Sequence, residues 1–297
     1  MRESELRGLC TGIGWHDDAL KLELRLDEQA TRKVLWSLEP GRELSLRLSG
    51  ERRCIGYRPP GRDADLLPCP DGETLSGGSQ CPSCFERAVI LPCLRCDGER
   101  CRNPARRASC VRPQNHALYL CAFGPGAIKV GVARWSRRAH RVAEQGAREA
   151  LIVARDDGQM IRRYERMIAR SGVPDRMQPA ERIRALAEPA DRDLLVGELQ
   201  RRLAVLRPRL PIPWLAEPEV LDFQRAPQLD AYPKLLSLKP GDSLRGEIAA
   251  LAGNLLIVDS DRGQRLAMDA RQLVGFELEP LGSEEASVGQ LALGLAA

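Results

Sequence analysis

Ten cysteines stand in this chain, and eight of them fall between Cys54 and Cys110. Cys81–Cys84 and Cys93–Cys96 are C-x2-C pairs. Zinc takes four ligands in a tetrahedron, and closely spaced thiolates on turns supply them because a short loop can fold around the ion. Cys93, Cys96, Cys101 and Cys110 form the compact series C-x2-C-x4-C-x8-C, which predicts one closed site. Cys54, Cys69, Cys81 and Cys84 predict a second site with a longer loop. Interleaved pairings of the eight stay open. An iron–sulfur cluster also uses four cysteines. A C-x2-C pair can instead be a thiol redox switch, but neither pair opens a clear helical pattern. Cys10 and Cys121 sit in apolar contexts and are read as core residues.

The stretch that carries these cysteines is rich in turn signals, such as CPDGETLSGGSQCP and CDGERCRNP, and has little apolar periodicity. It cannot build a core of its own, so bound metal is expected to hold it together. The rest of the chain can build one, since 43% of its 297 residues are hydrophobic. Aromatic residues are only 4%, which argues against a wide base-stacking platform. Net charge is +4, with arginine dominant between Arg95 and Arg170 and acidic residues dominant after Pro240. No apolar run approaches the ~18 residues of a membrane span. The opening MRESELRGLC lacks the apolar segment of a secretory signal. The expectation is a soluble, cytoplasmic protein with no membrane partner, in a reducing setting where clustered cysteines bind metal.

Around the cysteines the chain divides into further segments. Residues 1–53 read as a β unit: ALKLELRL alternates, with Leu20, Leu22, Leu24 and Leu26 on one face, and ELSLRLSG alternates again. DEQATRKVLWSL between them reads as a short helix or an irregular strand. Residues 54–115 are the Cys-rich module. Residues 116–206 read as an α/β core with a helical extension, in which SRRAHRVAEQGAREA and GQMIRRYERMIARSG are helices. Leu195, Leu199, Leu203 and Leu206 make a core-facing stripe on another. Residues 207–240 are a Pro-rich connector, extended rather than helical. Residues 241–297 form a second β unit that packs with the first, the two chain ends closing a barrel-like β domain. The fold class is α+β.

ALYLCAFGPGAIKVGVA, from Ala117 to Ala133, gives two strands joined by a Gly/Pro turn. It resembles the paired strands of the GIY-YIG nuclease superfamily. Ala117-Leu118-Tyr119 stands at the first triplet, with Ala117 in place of its glycine. Lys129-Val130-Gly131 stands at the second, with Lys129 in place of its tyrosine. Superfamily members carry an arginine on the following helix and a glutamate on a later one. Arg141 and Glu165 match these best, with Arg138 competing for the arginine. The pattern is closer still to an uncharacterised Cys-rich prokaryotic family with this core, on His116, Tyr119, the KVG strand, Arg134 and the phrase EQGA at 144–147.

The chemistry can be weighed apart from the resemblance. Phosphodiester cleavage needs an activated water, charge stabilisation and usually a metal. Tyr119 could take the water's proton if Lys129, on the facing strand, acidified its phenol. Arg141 could bind phosphate bidentately. Glu165 shares a helix face with Ile161 and Ile168, where a carboxylate wants a cation, either Mg²⁺ or Mn²⁺ or an arginine. Arg134, Arg138, Arg141 and Arg148 at helical spacing would offer a nucleic-acid-binding face, or simply a solvated one. His116 is a site residue, a zinc ligand or a strand residue. Two structural Zn²⁺ ions, nucleic acid as partner and metal-dependent cleavage make the leading expectation. A catalytically silent zinc-stabilised module that binds nucleic acid or protein is the alternative, and a thiol redox sensor the third. The oligomeric state is not legible.

Overall fold

The computed structural model describes residues 7–16, 19–26, 33–59, 65–88, 93 and 96–281. It divides into two compact units, residues 1–89 with 233–297 and residues 90–232. The N-terminal part supplies strands β1 (Gly8–His16), β2 (Ala19–Arg25), β3 (Lys33–Leu38) and β4 (Glu43–Ser49), then the short helix α1 (Pro82–Arg87). The middle supplies α2 (Pro104–Cys110), β5 (His116–Gly124), β6 (Ala127–Arg134), α3 (Arg138–Ala143), β7 (Glu149–Asp156), α4 (Gly158–Arg170), α5 (Pro179–Ala187), α6 (Arg192–Leu206) and β8 (Trp214–Val220). The C-terminal part supplies β9 (Lys234–Leu235), β10 (Ser243–Ala252), β11 (Leu255–Ser260), β12 (Arg265–Asp269) and β13 (Glu277–Pro280).

Strands from both chain ends share one nine-stranded sheet, in the order β3-β2-β1-β13-β4-β10-β11-β12-β9. All its pairs are antiparallel except β12 with β9. Among the described residues no pairing joins β3 to β9, so hydrogen bonding leaves the sheet open rather than closed into a barrel. Alternation sets the buried face. Leu20, Leu22 and Leu24 of β2 and Leu44, Leu46 and Leu48 of β4 are buried in one cluster with Ile248, Leu256 and Leu278. Leu26, expected on this face, is exposed, because β2 ends at Arg25. The buried Arg25 guanidinium donates to the carbonyls of Ile55 (3.1 Å) and Leu66 (3.2 Å), tying the sheet to the cysteine-bearing loop. Of the segment expected as a helix or irregular strand, residues 33–38 are strand β3, while 27–32 and the chain beyond residue 281 lie outside the described residues.

The second unit holds a four-stranded antiparallel sheet in the order β6-β5-β7-β8. Even-numbered residues of β5, Leu118 and Leu120, pack with Ile161 and Ile168 of α4 and with the leucine stripe of α6. Odd-numbered residues, Tyr119, Cys121 and Phe123, pack with Val142 of α3 and Ala185 of α5. Helices therefore cover both faces. The proline-rich stretch after α6 is not all connector, since β8 lies within it and pairs with β7. Pro218 is tolerated there because β8 is an edge strand, where a missing N–H costs no ladder bond.

The arginine helix is shorter than its sequence suggests. α3 stops at Ala143 and the chain turns through Gly146, so Arg148 leaves the helix and Arg134 ends β6. The four-arginine face is thus not formed. The Cys-rich stretch is also divided, with Cys54, Cys69, Cys81 and Cys84 in the first unit and Cys93, Cys96, Cys101 and Cys110 in the second. No helix among the described residues is long and apolar enough to cross a membrane.

Tyr119 lies opposite Gly131 across the β5–β6 ladder. A Cβ at Gly131 would stand 2.4 Å from the Tyr119 hydroxyl and 2.5 Å from its Cζ, so the ring occupies the space that glycine leaves. Gly131→Ala should therefore force the ring out of place and cost about 1–3 kcal/mol, as other small-to-large core changes do. Urea denaturation followed by a probe in the second unit should show the earlier midpoint; an unchanged midpoint would refute the packing assignment.

Candidate metal centre

The first four cysteines meet. The sulfurs of Cys54, Cys69, Cys81 and Cys84 all lie within 4.8 Å of one another. Cys69 and Cys81 are 3.9 Å apart. A tetrahedron of Zn–S bonds near 2.3 Å has edges of about 3.8 Å, so the set fits zinc with little adjustment. Cys54 comes from an irregular segment fixed by single bridges, Arg53 to Thr74 and Tyr57 to Leu67. Cys81 and Cys84 come from the start of α1, where the Cys81 sulfur caps the helix by accepting the Cys84 N–H at 3.4 Å. The Cys54 sulfur accepts N–H groups from Gly56 (3.4 Å) and Cys81 (3.2 Å). Such N–H···S contacts stabilise thiolates, the form that ligates metal.

Electrostatics point the same way. Burial pushes the Cys84 thiol up, and the neighbouring Cys81, Cys54 and Cys69 push it further in that direction. Four thiols this close cannot all ionise without a cation among them. The pair at 81–84 does open a helix, against the sequence reading. The two further sulfurs in contact nevertheless make this a four-donor set, which suits a metal better than a dithiol switch does. Cys10 and Cys121 are fully buried in the two cores.

The second four cysteines do not close in the same way. Among the described residues only the first quartet comes within 4.8 Å. Cys93, Cys96, Cys101 and Cys110 instead line a cavity of about 240 Å³ together with His116, Arg102, Arg106, Arg134 and Arg162.

The residues matched to phosphodiester chemistry occupy one electrostatic neighbourhood with unequal fitness for it. Tyr119 is fully buried, and its hydroxyl accepts a hydrogen bond from Gln145 Nε2. Burial raises the phenol well above its ordinary value, while Arg141 opposes that rise and Glu165 adds to it. The expected acidification by Lys129 is therefore not what sets this group. Lys129 faces Cys121 across the ladder, not Tyr119. Burial lowers the Lys129 ammonium, with Cys121 and Glu165 opposing and Arg141 reinforcing. Glu165 is raised by burial, and Arg162, 2.9 Å away on the same helix, counteracts this. Its cation partner here is thus an arginine. Arg141 is half exposed and paired with Glu144 at 3.0 Å.

The arginines assigned to nucleic acid also separate. Arg134 is exposed at the end of β6. Arg138 bonds Glu219 at 3.1 Å and stacks 4.2 Å from the Trp135 ring centroid, a ring that Arg155 also covers at 3.8 Å. Arg148 is buried, donating to the carbonyls of Glu188 (3.0 Å) and Ala190 and to Gln228 (3.3 Å), so it is a structural tie, not a contact surface. The uneven charge read along the sequence resolves into the two units. Residues 90–232 hold 26 Lys and Arg against 17 Asp and Glu, a formal +9, while the rest of the chain holds 19 against 24, a formal −5. The counts were open to reading, but the boundary that separates them needed the fold.

A mixed α/β architecture with a four-cysteine cluster able to hold a metal defines the class of this protein. The chain belongs to the family described as "Protein of unknown function (DUF2797)", whose model matches residues 41–278. No curated protein and no solved structure matches it.

Chelation should release metal from the first quartet and unfold residues 54–88, because structural zinc sites contribute binding energy directly to folding. Cys81→Ser should do the same. Amide hydrogen exchange should show fast exchange at Cys54, Ile55 and Leu75, whose N–H groups are bonded to Glu73, Ser79 and Arg52. Unchanged protection there after complete metal removal would refute the structural role.

Proposed function

We propose that this chain is a zinc-stabilised nucleic-acid-binding protein whose basic unit, residues 90–232, carries the polyanion. The observation that carries this reading is the segregation of charge: a formal +9 collected in one compact unit of a chain whose net charge is +4. Phosphate backbones bind such surfaces through counterion release. Two zinc ions belong to the proposal, one on Cys54, Cys69, Cys81 and Cys84 and one among the donors around the cavity near Cys93–Cys110. Arg134, Arg141 and the partly covered Arg138 are the proposed phosphate contacts.

A second reading is metal-dependent phosphodiester cleavage of GIY-YIG type. It is favoured by the electrostatic influence of Arg141 and Glu165 on both Tyr119 and Lys129, and of Lys129 on Glu165. In that reading Arg141 binds phosphate, Lys129 stabilises developing charge and Glu165 holds Mg²⁺ or Mn²⁺, which supplies Lewis-acid stabilisation when bound. Tyr119 would need its hydroxyl freed from Gln145, and Glu165 would need Arg162 to withdraw. Both demands place the silent binding module first.

Fluorescence anisotropy with DNA and RNA oligonucleotides, single- and double-stranded, tests the first reading. Affinity should fall with salt with a log–log slope of about −0.7 to −0.9 per phosphate contact. Arg134→Ala and Arg141→Ala should each reduce that slope by about one contact, whereas Arg148→Ala should lower stability and leave the slope of the folded protein unchanged. Binding that is absent at low salt for every oligonucleotide would overturn the proposal.

Incubation of the same oligonucleotides with Mg²⁺ or Mn²⁺ separates the two readings. Intact substrate is the expected result. Cleavage that is lost in both Tyr119→Phe and Glu165→Ala would establish the enzyme instead.

A further inference from the structure

His116 begins β5 and reaches the cavity lined by the second group of cysteines. Its Nδ1 atom is buried and has no hydrogen-bond partner. A buried polar nitrogen without a partner is costly, and the neutral imidazole is a common zinc ligand. Gly158, the first residue of α4, makes room for it. A Cβ there would stand 2.7 Å from His116 Cε1, 3.0 Å from Nδ1 and 2.9 Å from the Cys110 sulfur. The imidazole nitrogen and the Cys110 thiol therefore lie side by side against the first turn of this helix.

The cysteines around the cavity are not equivalent. The Cys93 sulfur accepts an N–H from Asn103 Nδ2 at 3.3 Å, and the Cys96 sulfur accepts the Gly98 N–H at 3.4 Å. Both contacts suit a thiolate, and both repeat what Cys54 and Cys81 do in the first quartet. Cys101 differs. Its sulfur lies 3.4 Å from the Asn103 carbonyl oxygen, to which only a protonated thiol can donate. A thiolate there would face a negative carbonyl dipole, and a zinc ligand must be a thiolate.

We infer that the second zinc is held by Cys93, Cys96, Cys110 and His116 Nδ1, and that Cys101, turned to the Asn103 carbonyl, is not a ligand. The inference rests on the proposal that a second zinc is bound. The Cys3His set has a further consequence. Three thiolates on Zn²⁺ leave one net negative charge, where four would leave two. The smaller charge sits beside Arg102, Arg106, Arg134 and Arg162 at the cavity rim, and so subtracts less from the potential that draws a polyanion.

Metal analysis and zinc X-ray absorption on the full chain test this. The wild-type protein should hold two zinc ions, with seven sulfur ligands at about 2.3 Å and one imidazole nitrogen at about 2.0 Å over the pair. Cys101→Ser should keep both ions, and His116→Ala should keep one. Two zincs with sulfur ligands alone, or loss of an ion in Cys101→Ser with none lost in His116→Ala, would overturn the ligand set while leaving the two-zinc proposal standing. One zinc in the wild-type protein would instead remove the second site itself, and the inference with it. The wild-type absorption spectrum decides between the ligand sets even where His116→Ala fails to fold.

Discussion

Four thiols crowded within 4.8 Å are the constraint from which the middle of the first unit follows. Among its described residues the segment from Arg52 to Ala88 has two isolated bridges and one helix of six residues, too little to fix a chain by regular pairing alone. What it has instead is a sulfur cluster packed with Tyr57 and Leu75. A cation at its centre would convert mutual repulsion among thiolates into four bonds, and the irregular backbone around it would then serve as the path between ligands. The large sheet joins in through Arg25, whose buried guanidinium holds two carbonyls of that path. Loop and sheet are thus tied by polar contacts and by Ile55, which packs against the sheet's core.

The second unit rests on a different balance. Its sheet and helices form ordinary apolar layers, and its excess arginine must be accommodated at their edges. Some of it is consumed internally. Arg148 satisfies carbonyls near the end of α5, Arg225 binds Glu149 at 2.7 Å, and Arg162 neutralises Glu165. Arg134, Arg137 and Arg141 remain on the surface, and the latter two share Glu144. An arginine count taken along the chain overstates the binding surface for this reason. The unit is nevertheless basic after these pairs are formed, which is why the functional proposal rests on its total charge and not on a single row of residues.

Much of this was legible in the sequence, and the failures have specific physical causes. Period-two leucines gave β2 and β4, and the stripe from Leu195 to Leu206 is buried on α6. The grouping of Cys54, Cys69, Cys81 and Cys84 was among those spacing suggested, and the fold selects it from the interleaved alternatives. The extent of α3 was not legible, because RAHRVAEQGAREA has helical periodicity throughout and only the turn at Gly146 stops it. Helix opening by Cys81 was missed because a six-residue helix leaves almost no periodic signal. The division of the eight cysteines between two units could not be read, since the separation is a matter of tertiary contact and not of composition.

The Tyr119–Gly131 pair shows how a motif can keep its form for a packing reason. In the sequence the two triplets suggest a catalytic tyrosine on one strand and a lysine on the facing one. In the fold Tyr119 and Gly131 are cross-strand partners, and the glycine is the space into which the tyrosine ring fits. Gln145, at the turn that ends α3, then holds the hydroxyl. Strand, turn and helix end are fixed together by one aromatic side chain, and that role requires the hydroxyl to be buried. A general base needs the opposite, an accessible oxygen with a proton affinity near the working pH. Burial has raised the phenol instead. Packing and a catalytic role would therefore make opposite demands on one hydroxyl, and only displacement of Gln145 would reconcile them.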